Sequence, residues 1–294
     1  MDIAKACVTY PSFDAFAMDL SFSDLQQYYL FGYAAKNWGH HGRMWEDEIL
    51  ENVLPFLRNN SKAKCASGPL LPLARLERDY GTDRGTGMHI VAIFGLAKTF
   101  ECLLRCGTEA DPETTTKHRT PLSFAAEGGH ESIVRTLLQR NDVHAHSKDN
   151  QRRTPLLFAS WRGHESVVRM LLQQDNVKAD SRDKYGRTPL LRASEGGHKY
   201  VVQMLLQEND VKADRRNEYG RTPLSLASGN GHKSVVQMLL QRDDVEVDSK
   251  DNYGRTPLFY ASERGHESIV QMLLEQKAVE ENSIVNEGRI SPSF

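Results

Sequence analysis

The chain has 294 residues, which allows one to three domains at about 100–200 residues each. It carries 37 Lys and Arg against 39 Asp and Glu, and this near-neutral balance argues against a nucleic-acid or membrane-surface partner. No apolar run reaches the ~18–20 residues of a membrane span, four cysteines are too few for a disulfide-stapled secreted domain, and no secretory signal opens the chain. These features predict an intracellular protein, cytoplasmic, with the nucleus as the alternative.

Residues 1–66 are predicted to form a small helical amino-terminal module. One amphipathic helix is expected over Asp24–Trp38 and a second over Glu46–Leu57. A proline-containing stretch, ASGPLLPLA, follows them, and residues 67–85 are interpreted as a linker.

From Thr86 onward the chain consists of an internal repeat. TPLSFAAEGGH, at Thr120, recurs every 34 residues as TPLLFASWRGH, TPLLRASEGGH, TPLSLASGNGH and TPLFYASERGH, and TGMHIVAIFGL at Thr86 is a divergent sixth copy. In the typical copy, Thr can cap a first helix that begins at Pro, and Gly-His ends that helix. A second helix follows, with a Val-Val or Ile-Val pair and a Leu-Leu pair. Both helices are too short to be stable alone, so neighbouring copies are expected to stack.

The last residues repeat only the beginning of this unit. NEGRISPSF echoes NYGRTPLF, so residues 278–294 are predicted to be a tail with a truncated seventh repeat, after six repeats in 86–277. Without a polar capping repeat, Val270, Leu273 and Leu274 are expected to be partly uncovered unless the tail folds back.

The Thr-Pro-Leu, Gly-His, Val-Val and Leu-Leu positions resemble those of the ankyrin repeat family over about two-thirds of the chain. The resemblance implies an all-α ankyrin-repeat solenoid of about six helix-turn-helix repeats with hairpin loops, which binds a protein partner through its concave surface. The period is 34 where the family usually shows 33. At the turn position of Gly186, Gly220 and Gly254, the earlier copies have His118 and Arg152, for which a left-handed backbone would cost ~1 kcal/mol.

Two amino-terminal phrases, AKACVTYPSFDAF and YAAKNWGHHGR, resemble the segment between NACHT and ankyrin repeats in fungal NOD-like receptors. This resemblance implies the tail of a NACHT-associated region, and hence the sensor or recognition arm of such a receptor. No GxxxxGK[ST] phosphate loop occurs in the chain. An inert or decoy fragment of a receptor gene, without a partner of its own, is the alternative.

The predicted contact residues lie at the loop tips and on the outward rows of the inner helices. Tyrosines beside arginines have the composition of interface hot spots, although the same residues also occur as scaffold consensus. The predicted partner-binding residues are Glu127, Trp161, Arg162, Lys184, Tyr185, Arg187, Glu195, Glu218, Tyr219, Arg221, Asn230, Asn252, Tyr253, Arg255, Glu263 and Arg264.

No catalytic, cofactor or metal site is predicted. The five histidines at 34-residue intervals, from His130 to His266, would lie in separate layers and are interpreted as bridges to backbone groups. Cys102 and Cys106 are one helical turn apart, but no second pair accompanies them, so they are interpreted as structural thiols. We therefore expect a non-enzymatic monomer that binds a protein, and neither nucleic acid nor membrane.

Overall fold

A computed structural model describes residues 54–55, 57–59, 85–114 and 117–289, with side chains as far as Ala278. The predicted amino-terminal module and linker lie almost entirely outside these residues. The described part is all-α: it contains helices and turns and no strand, as the repeat pattern predicted. None of its helices is long and apolar enough to cross a bilayer.

The chain divides into two compact units. The first extends to Pro155 and includes Gln173–Asn176, and the second comprises Leu156–Leu172 and Val177 onward. The first unit contains the helices α1 (Gly87–Phe94), α2 (Ala97–Arg105), α3 (Pro121–Gly128) and α4 (Glu131–Leu138). The second contains α5 (Pro155–Arg162, from its second residue), α6 (Glu165–Leu172), α7 (Pro189–Gly196), α8 (Lys199–Leu206), α9 (Pro223–Gly229), α10 (Lys233–Leu240), α11 (Pro257–Glu263) and α12 (Glu267–Arg289).

Each repeat is an antiparallel helix pair that begins at the Thr-Pro phrase. The hydroxyl oxygens of Thr188, Thr222 and Thr256 each accept a hydrogen bond from the backbone N–H three residues on, at 3.2 Å. Proline then occupies the first helical position, where no backbone donor is needed. The Thr-Pro phrase therefore marks the start of the inner helix, as predicted.

Packing within each unit follows the repeat. In the first unit α1 packs against α3 and α2 against α4. In the second, α7, α9 and α11 pack side by side as one layer, while α6, α8, α10 and α12 pack in order as the other. The Val-Val and Leu-Leu positions of the outer helices, such as Val201, Val202 and Leu205, are fully buried. This burial across layers is what stabilises helices of seven to nine residues.

Histidines tie successive layers together within each unit. The Nε2 atoms of His198 and His232 lie 3.0 Å from the carbonyl oxygens of Trp161 and Glu195, and His266 Nε2 lies 3.1 Å from that of Gly229. In the first unit His130 Nε2 is 3.0 Å from the Ile93 carbonyl oxygen. The prediction that these histidines bridge backbone groups is confirmed at these four positions.

The turn before the inner helix has a left-handed residue in five successive repeats. Gly186, Gly220 and Gly254 have φ of 70–77°. His118 and Arg152 have φ of 52° and 62°, so the two non-glycine residues adopt the left-handed conformation despite its cost.

The last helix is longer than its counterparts and continues to Arg289. Gly288 and Arg289, where the sequence echo predicted the start of a seventh repeat, belong to its helical backbone. Leu273 is buried, Val270 is partly buried and Leu274 is exposed. The predicted uncovering of this apolar face therefore applies to Val270 and Leu274 and not to Leu273.

Candidate functional site

The loop tips of the second unit carry three exposed tyrosines at 34-residue intervals. The tyrosines are Tyr185, Tyr219 and Tyr253, with 39%, 49% and 71% of their surface accessible. Backbone hydrogen bonds of 3.0 Å join neighbouring tips, from Glu218 N to Tyr185 O and from Asn252 N to Tyr219 O. The three rings are therefore held in register by the main chain.

An arginine accompanies each of these rings. The guanidinium carbons of Arg187, Arg221 and Arg255 lie 4.5, 5.9 and 4.8 Å from the ring centroids of Tyr185, Tyr219 and Tyr253, respectively. These distances are within the range of cation–π attraction, worth about 0.5–1 kcal/mol at exposed sites. The arginines thus orient the rings and present positive charge beside them.

The last two tips enclose an open cleft of about 480 Å³, lined by Tyr219, Arg221, Tyr253 and Arg255. The buried carboxylate of Asp251 lies beneath the two arginines, 3.2 Å from Arg255 Nε and 4.0 Å from Arg221 Nε. Burial opposes ionisation of Asp251, but hydrogen bonds from Tyr260 and from the Arg255 and Tyr253 amides, together with the Arg255 charge, outweigh it and lower its pKa to about 2. Asp251 is therefore ionised at neutral pH.

The other tip residues on the predicted list are exposed. Lys184, Glu218 and Asn252 project from successive tips, and the Asn252 Nδ2 donates to the Glu218 carbonyl at 2.8 Å. A hydrogen bond between the Glu218 carboxylate and the Tyr219 hydroxyl raises the pKa of Tyr219.

On the inner helices, two guanidinium groups lie close to the Trp161 ring. Arg162 is 4.7 Å and Arg192 is 4.6 Å from its ring, and Arg192 also donates to Glu195 at 2.7 Å. Burial lowers the pKa of Arg192, and neighbouring Arg187 lowers it further. Arg192 was not among the predicted partner-binding residues. Its contact with Trp161 depends on how the two side chains pack, which the spacing of the repeat does not define.

The C-terminal positions of the next inner helices form a small polar row. Asn230 Nδ2 donates to the Glu195 carbonyl at 2.8 Å, and Arg264 Nη1 donates to Asn230 Oδ1 at 2.7 Å. Glu263 is exposed beside them. These predicted residues are thus brought together on one accessible row of the second unit.

Glu127, predicted on the contact surface, instead lies inside the first unit. Glu127 is 2% exposed, and its Oε2 accepts a hydrogen bond from Arg119 Nη2 at 2.7 Å. Arg119 itself is fully buried, with its guanidinium carbon 3.7 Å from the Phe124 ring centroid. Glu127 is therefore part of an internal ion pair and cannot contact a partner in this arrangement.

In the part of the chain that the structure describes, the acidic, histidine and cysteine side chains do not form a metal site. Within the described ranges, no group of three or more His, Cys, Asp or Glu side chains is placed to hold a metal ion. Cys102 and Cys106 are free thiols, the second of them exposed.

The fold and these tips define a stacked helix-pair repeat protein with a ladder of exposed aromatic residues. The family model for ankyrin repeats (3 copies) matches in four overlapping ranges, 88–183, 147–217, 173–251 and 209–284. Because these ranges span more than half of the chain, it belongs to the ankyrin repeat family. Human rabankyrin-5 is 32% identical over 69 residues, which are 24% of this chain and 6% of rabankyrin-5. The matched stretch is thus a small part of that protein.

Proposed function

We propose that this chain is a non-enzymatic protein-binding module, and that its partner contacts the tips and the inner-helix row of the second unit. Ankyrin repeats are typical of protein–protein interaction modules, so the family supports protein binding as the general function. The observation that carries the finer proposal is the in-register ladder of Tyr185, Tyr219 and Tyr253, each exposed and each beside an arginine. Exposed aromatic and arginine residues are the residue types that dominate interface energetics.

The biological setting is proposed from the amino-terminal resemblance. Its two phrases support a role as the recognition arm of a fungal NOD-like receptor-type protein, in the cytoplasm. The residues that carry this resemblance lie outside the described part of the structure. The setting therefore rests on sequence similarity, whereas the contact surface rests on geometry.

The test is a cross-linking pull-down from native lysate with the full chain as bait. We expect Trp161→Ala combined with Tyr185→Ala to abolish capture of specific partners, because the change removes two large aromatic anchors. Tyr200→Ala is the matched control, since Tyr200 is 57% exposed but lies on α8, outside the proposed surface. Circular dichroism checks that each variant is folded.

The competing function is that of an inert or decoy fragment. It would be supported if the wild-type chain and all variants captured the same proteins in the same amounts. Loss of capture with Tyr200→Ala, but not with the double variant, would place the contact surface on the outer helices instead.

A further inference from the structure

One acceptor residue organises each hairpin tip. Oδ1 of Asp183 accepts hydrogen bonds from the backbone N–H groups of Tyr185 and Arg187, both at 2.9 Å. Asp149 and Asp251 do the same for their own tips. A single oxygen therefore closes the turn, and the second side-chain atom is available for another contact.

In the tips with aspartate, that second atom holds the tip arginine. Oδ2 accepts from the arginine Nε at 2.6 Å in the Asp149–Arg153 and Asp183–Arg187 pairs, and at 3.2 Å in the Asp251–Arg255 pair. These charge-assisted bonds tie the guanidinium to its own loop.

The tip between Asp183 and Asp251 has asparagine instead. Asn217 Oδ1 accepts from the Tyr219 and Arg221 amides at 3.0 Å, so the turn is unchanged. Its second atom is an amide nitrogen, which is a donor and cannot accept from Arg221. The exchange of one side-chain atom thus keeps the loop and removes the ion pair.

Arg221 is left without a close carboxylate as a result. Its Nε is buried and has no hydrogen-bond partner in the described structure, and it reaches Asp251 Oδ2 only at 4.0 Å. That oxygen already accepts hydrogen bonds from Tyr260 and Arg255. The Arg221 side chain as a whole is 32% exposed, so its guanidinium can be reached from solvent, and an anion bound there would supply the close negative charge that Asn217 does not.

Arg221 lines the cleft between Tyr219 and Tyr253, the two most exposed of the three tip tyrosines. The rings supply apolar surface at the rim and Arg255 supplies a second positive charge. Glu218 is exposed beside Tyr219 at the same tip, and its carboxylate is engaged with the Tyr219 hydroxyl. The cleft therefore combines two aromatic faces with one guanidinium whose charge is incompletely neutralised.

We propose that this cleft receives a side-chain carboxylate of the partner, flanked by apolar residues, and that Asn217 is the residue that creates the site. This inference rests on the proposed function and specifies which chemical group the second unit recognises. Arg255 is paired with Asp251, so Arg221 supplies the one positive charge that lacks a close carboxylate. A single charge matches a carboxylate monoanion better than a phosphate dianion.

The direct test uses small probes, so it does not need the natural partner. The full chain is labelled with ¹⁵N and the arginine Nε–Hε signals are followed by NMR during titration with the capped tripeptide Leu-Glu-Leu. We expect the Arg221 signal to shift in a saturable way, and capped Leu-Gln-Leu to leave it unmoved. An Arg221 signal that ignores the glutamate probe, or responds equally to both probes, would overturn the proposal.

Two reciprocal variants isolate the role of residue 217. Asn217→Asp restores the acceptor found in the sibling tips, so the fold is retained while affinity for the glutamate probe falls about tenfold, the effect of losing one charge-assisted bond. Asp183→Asn makes the opposite change beside Tyr185, so the Arg187 signal should become responsive. Unchanged probe affinity in Asn217→Asp would refute the assignment.

Two further arms define the anion. Glu218→Gln should tighten binding of the glutamate probe, because it removes a competing negative charge, whereas a purely structural role for Arg221 predicts no change. A capped Leu-phosphoserine-Leu probe should bind no more tightly than the glutamate probe, and tighter binding would overturn the choice of a carboxylate.

Failure of this inference and failure of the proposed function give different results. If the pull-down identifies partners that depend on Trp161 and Tyr185 but the probes do not bind, the module binds protein without a carboxylate site in this cleft. If the probes bind but no partner depends on the surface, the anion site exists and the interaction proposal is wrong.

Discussion

At the scale of single residues, the same residue type at equivalent positions can lie in the core of one repeat and on the surface of another. Glu127 and Glu195 occupy the same place in α3 and α7, and each pairs with an arginine at 2.7 Å. The Glu127 side chain is 0% exposed, whereas that of Glu195 is 38% exposed. The first is therefore part of a core and the second part of a surface.

Glu127→Gln should destabilise the chain by about 3 kcal/mol, because it leaves the buried Arg119 charge without its carboxylate. Urea unfolding followed by circular dichroism measures the change in the free energy of unfolding. Glu195→Gln is the matched control and should cost less than about 1 kcal/mol, since solvent screens its pair. Equal costs for the two variants would contradict the assignment of Glu127 to the core.

Asp111 should make stability depend on pH. Burial raises its pKa to about 7, against the opposing hydrogen bond from the Leu122 amide at 2.8 Å and that from Thr120. Between the ordinary value of 3.8 and about 7 the folded chain keeps a proton that the unfolded chain has lost. Stability from this group is therefore complete below the lower value and declines as pH rises through the window.

Asp111→Asn should remove that decline, because the amide oxygen can still accept from Leu122 and has no proton to lose. Melting temperatures of both chains measured from pH 4 to pH 8 should show the variant's advantage growing up to about 7 and then levelling off. A pH-independent difference between the two chains would show that the Asp111 pKa is not raised.

At the scale of the element, the hairpin turn is conserved in geometry even where its glycine is missing. Arg152 has φ of 62°, close to the values of Gly186 and Gly254. The turn is held by backbone hydrogen bonds such as Arg152 N to Asp149 O at 2.8 Å, so the rest of the loop imposes the strained conformation.

Arg152→Gly should stabilise the chain by about 0.5–1 kcal/mol, because relief of the left-handed conformation exceeds the added backbone entropy of glycine. Thermal unfolding measures it. Gly254→Ala is the converse variant: an added Cβ there meets no atom within 4 Å, so any loss reflects conformation alone. Stabilisation by both changes, or by neither, would contradict this account.

Much of the element level could be predicted from the sequence. The Thr-Pro helix starts, the His bridges and the left-handed turns all depend on local residues at fixed spacing. Glu127 was placed on the surface because spacing aligns it with Trp161 and Glu195, while its burial depends on Arg119 and Phe124 lying beneath it. The sequence shows asparagine at position 217, where the other tips have aspartate. That this leaves Arg221 without the close carboxylate of the other tip arginines is visible only in the structure.

At the scale of the whole molecule, stability comes from contacts between adjacent layers. α12 packs against α11 and α10, and in the described structure no further helix pair follows it. Phe259 and Leu274 are accordingly 45% and 49% exposed. A terminal layer with fewer neighbours opens at a lower free energy than an internal one.

Hydrogen exchange followed by mass spectrometry should therefore find α11 and the first turns of α12 less protected than α9 and α10. The comparison is internal, because the two helix pairs have nearly the same sequence pattern. Equal protection of both pairs would show that residues beyond Ala278 cover the apolar face of the last layer.

The division of labour within the tip acceptor has an evolutionary consequence. One side-chain oxygen of residue 149, 183, 217 or 251 accepts the hydrogen bonds that shape the turn. Substitution between aspartate and asparagine keeps that oxygen and changes the charge at a single tip. Recognition can thus be altered one tip at a time, by a single-nucleotide change that keeps the acceptor of the turn.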